Sequence, residues 1–312
     1  MLIFSFKNID LLKKYEVVFL TYDEPEKEER WHRIQKLLPK AHWVDGIKGF
    51  DKAHRECAKR VTTERVIIID GDNSFITPRP SLVVPKKLVK NDFVLSYSSR
   101  NSINGLTYGN GGIKCWPRKT LLEIQGHELS DEADSVDFCY STPYYQISEA
   151  PTESIVHITP FQAFRAGFRE GLKMSLINGH AIPTERAEDL KLDYLVPSTN
   201  FYRLKVWLEV GRDVMNGSWA LLGARCGLFH LLREDNYLFH IRDYDWFMEL
   251  WKDFENLNSE QVEEKSRFYA SGLAPFFKEE LKELTIDQSL EFKKTLINPK
   301  REGLIGLAAI KY

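Results

Sequence analysis

The chain has 312 residues, long enough to bury a large core without disulfide or metal staples. Its hydrophobic content of 43%, charged content of 28% and mean hydropathy of −0.36 exclude a disordered or fibrous protein. A formal charge of −2 excludes general attraction to polyphosphate as the main mode of binding, so any nucleic-acid contact must be local.

The N-terminal MLIFSFKNIDLLKKYE interrupts its apolar run with Lys7, Asp10 and Lys13, unlike a signal peptide. Cysteines 57, 115, 139 and 226 form no CxxC pair, which points to a reducing compartment. Val17 to Thr21 reads as a strand, with Asp23 and Glu26 as N-cap and capping-box partner around Pro25. Trp31, Ile34 and Leu38 recur at helical spacing until Pro39. His42 to Val44 is a second strand, and Phe50, Ala53, Cys57, Ala58 and Val61 form one stripe of a second helix. Val66 to Ile69 reads as a strand buried on both faces. Such runs separated by amphipathic helices imply βαβ units and a parallel sheet.

Beyond Asp70, prolines 78, 80 and 85 break the pattern before strands at Phe93 to Tyr97 and Ile113 to Trp116. Pro117 opens a helix to about Gln125, an acidic loop spans His127 to Asp137, Ser154 to Thr159 reads as a strand and Phe161 to Met174 as a helix. From about residue 180 the segments are helical. The apolar stretch Gly217 to Leu232 contains Arg225 and His230 and is shorter than about 18 residues, so it predicts a buried helix and no membrane span. The expected organisation is an α/β region over 1–176 and a mainly helical region over 177–312. The expected location is cytoplasmic, the host cytoplasm if the chain is phage-encoded.

Four constellations carry possible chemistry. Asp70, Gly71 and Asp72 follow the buried strand, where ligands gather in parallel α/β sheets. Hard carboxylate oxygens suit Mg2+ or Mn2+; the plainer alternative is a solvated turn. YGNGGIKCW (108–116) offers glycines for close backbone approach and Lys114 for a phosphate, or simply a hairpin turn. It fits neither the P-loop nor the dinucleotide-binding spacing. The acidic loop offers Asp131, Glu132, Asp134 and Asp137, any one of which suits a base for an acceptor hydroxyl, although most such loops are only solvated. His157, in SIVHIT, is either a metal ligand beside Asp72 or a core histidine. Arg165, Arg169 and Lys173 recur at i, i+4 and i+8 and make a cationic ridge.

The order of FLTYDEP, IIIDGDN, YGNGGIKCWP, the acidic loop and VHITPFQAFRAGFREGLKM resembles glycosyltransferases of the GT-A fold. More narrowly it resembles those of tailed bacteriophages that modify 5-hydroxymethylcytosine in DNA. The resemblance spans roughly residues 15 to 175 and implies a Rossmann-like, mostly parallel sheet flanked by helices, with a helical C-terminal region. It implies that Thr21, Tyr22 and Asp23 contact a uridine-type nucleotide. Asp70 would lie near the ribose or metal, Asp72 would bind the metal directly, and His157 would be a late metal ligand. Gly111 and Gly112 would border the sugar and acceptor, Lys114 or Arg165 would assist the diphosphate, and Asp134 or Asp137 would be the base.

The implied reaction moves a sugar from a nucleotide-sugar, UDP-sugar in this family, to a hydroxyl with Mn2+ or Mg2+. The acceptor implied is hydroxymethylated cytosine in DNA. Arg203, Lys205, Arg212, Arg225, Arg233 and Arg242 offer either a DNA surface or merely solvated charge on a helical cap. Three readings compete: the same chemistry on a protein or glycan, a nucleotidyltransferase, and a non-catalytic DNA- or partner-binding protein.

Overall fold

The computed structural model describes residues 7–109, 111–126, 142–234 and 237–305. Asp134, Asp137 and Cys139 lie outside them. The first part alternates as its apolar periods predict: β1 (Asn8–Asp10), α1 (Leu11–Lys14), β2 (Glu16–Thr21), α2 (Lys27–Leu37), β3 (His42–Asp45), α3 (Phe50–Arg60) and β4 (Arg65–Asp70). Next come β5 (Asn73–Phe75), β6 (Val83–Pro85), β7 (Val94–Asn101), β8 (Thr107–Tyr108), β9 (Ile113–Pro117), α4 (Arg118–Leu122) and β10 (Tyr144–Ser154). The helical part holds α5 (Pro160–Met174), α6 (Thr184–Leu190), α7 (Leu192–Leu195), α8 (Ser198–Glu209), α9 (Gly217–Arg233), α10 (Tyr244–Trp251), α11 (Ser259–Leu273) and α12 (Ile286–Thr295), before β11 (Gly303–Ile305).

The main sheet has the order β11-β10-β7-β9-β4-β2-β3. Strands β3, β2, β4, β7 and β10 run one way, while β9 and β11 run against them. The sheet is therefore mostly parallel in direction, but β9 separates its two parallel blocks. A strand buried on both faces carries the same apolar run in either direction, so its residues alone do not reveal this reversal.

Two local expectations fail. The strand expected at Ser154 to Thr159 is instead the tail of β10, which ends at Ser154; the Ile155 N–H still donates to the Asp72 carbonyl at 2.8 Å, one step beyond the Ser154–Asn73 pair. His157 thus sits in a loop, beside Val156, which packs on the helical core. At α2 the residue before the helix is Glu26, with φ 60° and no side-chain cap, so Asp23 and Glu26 form no capping box.

Two apolar layers flank the sheet, one around Phe19, Ile67 and Tyr97, the other around Val18, Ile68 and Trp116. A further core joins Ile103, Leu106, Ala163 and Met174 to residues of α6, α7, α8, α9 and α11, so the regions 1–176 and 177–312 share buried surface. Thr159 caps α5 by accepting from the Gln162 N–H at 3.2 Å, with Pro160 in the first turn. Helices α5 and α9 then meet through glycines: a Cβ on Gly167 would lie 1.9 Å from the Ala220 carbonyl oxygen, and one on Gly223 2.0 Å from that of Phe164. Among the described residues no helix is long and apolar enough to cross a membrane.

Candidate functional site

A cleft of about 990 Å³ opens at the carboxyl ends of β2 and β4 and is walled on one side by α5. Its floor is the Asp70-Gly71-Asp72 loop. The Gly112 carbonyl accepts the Asp70 N–H at 2.8 Å, and the Gly71 carbonyl accepts from the buried Arg30 at 3.1 Å. Asp72 is oriented through both oxygens, with Asn73 Nδ2 donating at 2.6 Å and the Ser154 hydroxyl at 3.0 Å. Asn73 is held in turn by Gly112, where φ is +126° and a Cβ would lie 1.9 Å from Asn73 Nδ2.

The floor is crowded with negative charge. Burial, and then Asp70 beside it, hold the Asp72 carboxyl above its ordinary range. Burial also lifts Glu24 from 4.5 to about 7, helped by the charges of Asp72 and Asp23 and opposed by the hydrogen bond from the Tyr22 N–H. Glu24 abuts the loop, since a Cβ on Gly71 would lie 3.0 Å from its Oε2. Asp70 pairs with Lys114 at 3.1 Å; Lys114 is only 5% exposed. Lys114 thus balances the aspartate and also borders the cleft.

A raised folded-state pKa has a definite consequence for stability. Between 4.5 and about 7 the folded protein holds more protons on Glu24 than the unfolded chain, so this group lowers stability as pH rises through that window. Glu24→Gln is expected to stabilise the protein at pH 8 by up to about 3 kcal/mol, and to change nothing near pH 4. Denaturant titrations at the two pH values check this; an equal effect at both would show that Glu24 acts through packing.

Opposite the acidic floor stand Arg165, Arg169 and Lys173, all on the cleft-facing side of α5. The Arg165 guanidinium lies 4.6 Å from the centre of the Tyr244 ring, and its buried Nε has no hydrogen-bond partner. Burial, and then Arg169, push its pKa down to about 10. It remains charged at neutral pH, and a buried cation without a fully satisfied donor set is suited to an anionic ligand.

The other expected residues divide. Tyr22, Asp23 and Gly111 border the cleft. Tyr22 meets Tyr244 edge-on at 5.4 Å, and the Tyr244 hydroxyl donates to Asp23. Thr21 reaches the wall, but its hydroxyl donates to Asp45 at 2.7 Å and accepts from Trp43 at 2.8 Å. Gly112 supports Asn73 from behind, outside the cleft lining. His157 is also outside the lining; its Nδ1 lies 3.0 Å from the Met215 carbonyl, and burial lowers its pKa. Among the described residues no three His, Cys, Asp or Glu side chains converge as a cation site. Of the described residues expected as metal ligands, Asp70 and Asp72 border the same cleft and His157 does not.

The C-terminal cations are largely engaged within the fold. Arg225 pairs with Glu283 at 2.6 Å, Arg233 with Glu188 at 3.0 Å, Lys205 with Glu279 at 3.6 Å and Arg212 with Glu263 and Glu283. Arg203 is buried over the Tyr108 ring, and the Arg242 side chain is outside the described set. Sequence reasoning passed over Glu24, Ser154 and Tyr244. Glu24 had a usable signal: like Asp70, it follows a buried strand. Ser154 and Tyr244 had none, because their partners are distant in the chain.

No family model and no curated protein matches the sequence. Among solved structures the chain is similar to a mannosyltransferase from Pyrobaculum calidifontis in complex with GDP-Man and Mn2+, at 13% identity and a TM-score of 0.35. The match covers 78% of this chain and 88% of that one. A likeness at that depth decides neither fold nor chemistry, which rest on the residues themselves.

Proposed function

We propose that the chain is a metal-dependent glycosyltransferase that moves a sugar from a nucleoside diphosphate sugar to a hydroxyl acceptor. The observation that carries this reading is the oriented aspartate pair on the floor of a cleft whose facing wall holds Arg165. The donor set fits Mn2+ or Mg2+: Asp70 and Asp72 offer hard carboxylate oxygens, burial and the neighbouring Asp70 charge disfavour ionised Asp72, and a bound divalent cation would offset that cost. Such ions commonly take one or two carboxylates and complete their shell with phosphate oxygens and water. When bound, the cation neutralises charge on the departing nucleoside diphosphate.

The chain's own residues supply the rest. Asn73 and Ser154 keep Asp72 facing the cleft, Lys114 balances Asp70, and Arg165 with Arg169 meets the diphosphate from the other side. Tyr22 and Asp23 border the nucleoside end. His157 as an added metal ligand, and Asp134 or Asp137 as the base, remain parts of the proposal carried by the sequence resemblance. So does the choice of a UDP-sugar. Arg165→Met keeps much of the buried volume but removes the charge; it is expected to weaken Mn2+-dependent UDP binding roughly tenfold or more, measured by calorimetry. Unchanged affinity would remove Arg165 from the site.

For the acceptor we infer a hydroxyl, with 5-hydroxymethylcytosine in DNA as the candidate that the sequence resemblance supports. An acceptor base inside a duplex would have to leave the stack to reach the cleft. The engaged arginines favour a second reading, a protein or glycan acceptor, because among the described residues Arg212, Arg225 and Arg233 are already paired with carboxylates of the fold. The test is incubation with Mn2+, a panel of UDP- and GDP-sugars, and hydroxymethylcytosine DNA, followed by measurement of released nucleoside diphosphate and nucleoside mass. A mass gain on the DNA supports the first acceptor. Diphosphate release only with a glycan or protein supports the second, and pyrophosphate release would replace both with nucleotidyl transfer.

A further inference from the structure

One carboxylate in the cleft has no part in holding the cation or the diphosphate. Glu170 projects from α5, and its two oxygens are held from different sides: the Tyr108 hydroxyl donates to Oε2 at 2.6 Å, and Lys173 Nζ lies 3.4 Å from Oε1. Tyr108 is fixed in turn, by the Trp207 indole N–H donating at 3.1 Å and by the Arg203 guanidinium 5.0 Å from its ring centre. Burial, and then the Glu170 charge, lift the Tyr108 phenol well above its ordinary pKa, so Tyr108 keeps its proton and donates it in the hydrogen bond.

This assembly is tied to the aspartate floor. Tyr108 on β8 is the register partner of Ser99 on β7, and the Ser99 hydroxyl lies 3.1 Å from Asn73 Oδ1, on the side chain that orients Asp72. Tyr108, Glu170, Lys173 and Trp207 all border the same cleft as Asp70 and Asp72. A donor with its diphosphate between the aspartates and Arg165 has this region within reach of the group beyond the phosphate. That group is a sugar, rich in neighbouring hydroxyl donors. A carboxylate whose plane is already fixed keeps a second lone pair on each oxygen and loses little side-chain entropy on accepting them.

We propose that Glu170, seated by Tyr108 and Lys173, hydrogen-bonds hydroxyls of the transferred sugar and is thereby a specificity-determining residue of the cleft. The proposal rests on the glycosyl-transfer reading. Its signature is a split between ligands: losing the contact costs affinity for the nucleotide-sugar and spares the bare nucleotide.

The experiment is calorimetric titration, with Mn2+ present, of UDP, UDP-glucose, UDP-galactose and the GDP counterparts GDP and GDP-mannose into wild type, Glu170→Gln and Tyr108→Phe. Glu170→Gln is expected to weaken the best-bound nucleotide-sugar roughly ten- to a hundredfold. The matching nucleoside diphosphate should stay within about twofold, which also shows that the variant is folded. Discrimination between UDP-glucose and UDP-galactose should shrink if these are the donors bound. Tyr108→Phe should show the same split at smaller size, and it decides the matter if Glu170→Gln does not fold. Equal weakening of nucleotide and nucleotide-sugar, or no weakening, overturns the role of Glu170 while leaving glycosyl transfer standing. If wild type binds no nucleoside diphosphate at all, both readings fall together.

Discussion

Replacing Asp72 with alanine is expected to lower metal-dependent release of nucleoside diphosphate by about a thousandfold or more, the scale on which charge stabilisation of a leaving group acts. Asp72 is the better oriented of the pair, with Asn73 and Ser154 each engaging one oxygen. Asp70 has Lys114 as a standing partner. On the proposed function, loss of Asp72 removes a cation ligand; loss of Asp70 also removes a carboxylate that the buried Lys114 pairs with. The stability of the Asp72 variant should move the other way. Its carboxyl is raised in the folded state, so it lowers stability at every pH above its unfolded value, and Asp72→Asn should be more stable than wild type at neutral pH. Kinetic assay of Asp72→Ala and of Asp72→Asn, with denaturant titration of Asp72→Asn, checks both halves. Activity and stability falling together would mean that Asp72 holds the loop in shape and the cation account is wrong.

A second large effect is expected far from the cleft floor. Gly167→Val should destabilise the protein by more than about 4 kcal/mol, at the extreme of single-substitution effects. The backbones of α5 and α9 approach so closely that even a Cβ on Gly167 would lie 1.9 Å from the Ala220 carbonyl oxygen, and Gly171 meets Ala224 in the same way at 2.3 Å. Backbone is the obstacle, so no rotamer change relieves the clash; the helices must separate. Because α5 carries Arg165, Arg169 and Glu170, that separation should also abolish ligand binding. Thermal unfolding checks the first effect. A Gly167→Val protein with wild-type stability would show that the two helices do not pack as described.

The glycines of FRAGFREG illustrate what was legible in the sequence. They stood out as a motif, yet their reason lies in α9, a partner that no local pattern identifies. By contrast, the position of Asp70 and Asp72 was legible, because the β-branched run from Val66 to Ile69 reads as a buried strand and the two aspartates follow its carboxyl end, which borders the cleft. The stripe of α3 and the buried helix α9 were legible for the same reason, since their apolar spacing is their packing. His157 is not legible in SIVHIT, whose apolar alternation reads as a strand, whereas β10 ends at Ser154 and leaves His157 in a loop. Glu170 read as an ordinary polar residue of an amphipathic helix, and only the approach of Tyr108 from β8 sets it apart. Lys114 and the C-terminal arginines carried charge that the sequence offered to phosphate. In the fold most of that charge is already spoken for by carboxylates.

The central claim, that Asp70 and Asp72 hold a divalent cation together with a donor's diphosphate, is most directly tested by following the electron paramagnetic resonance signal of free Mn2+. The account predicts that UDP or GDP and wild-type protein together remove the free-ion signal beyond what the nucleotide alone removes. The loss should be stoichiometric with protein and absent with Asp72→Asn. Nucleotide binding of equal strength with and without Mn2+, or an unchanged signal loss in Asp72→Asn, would contradict it.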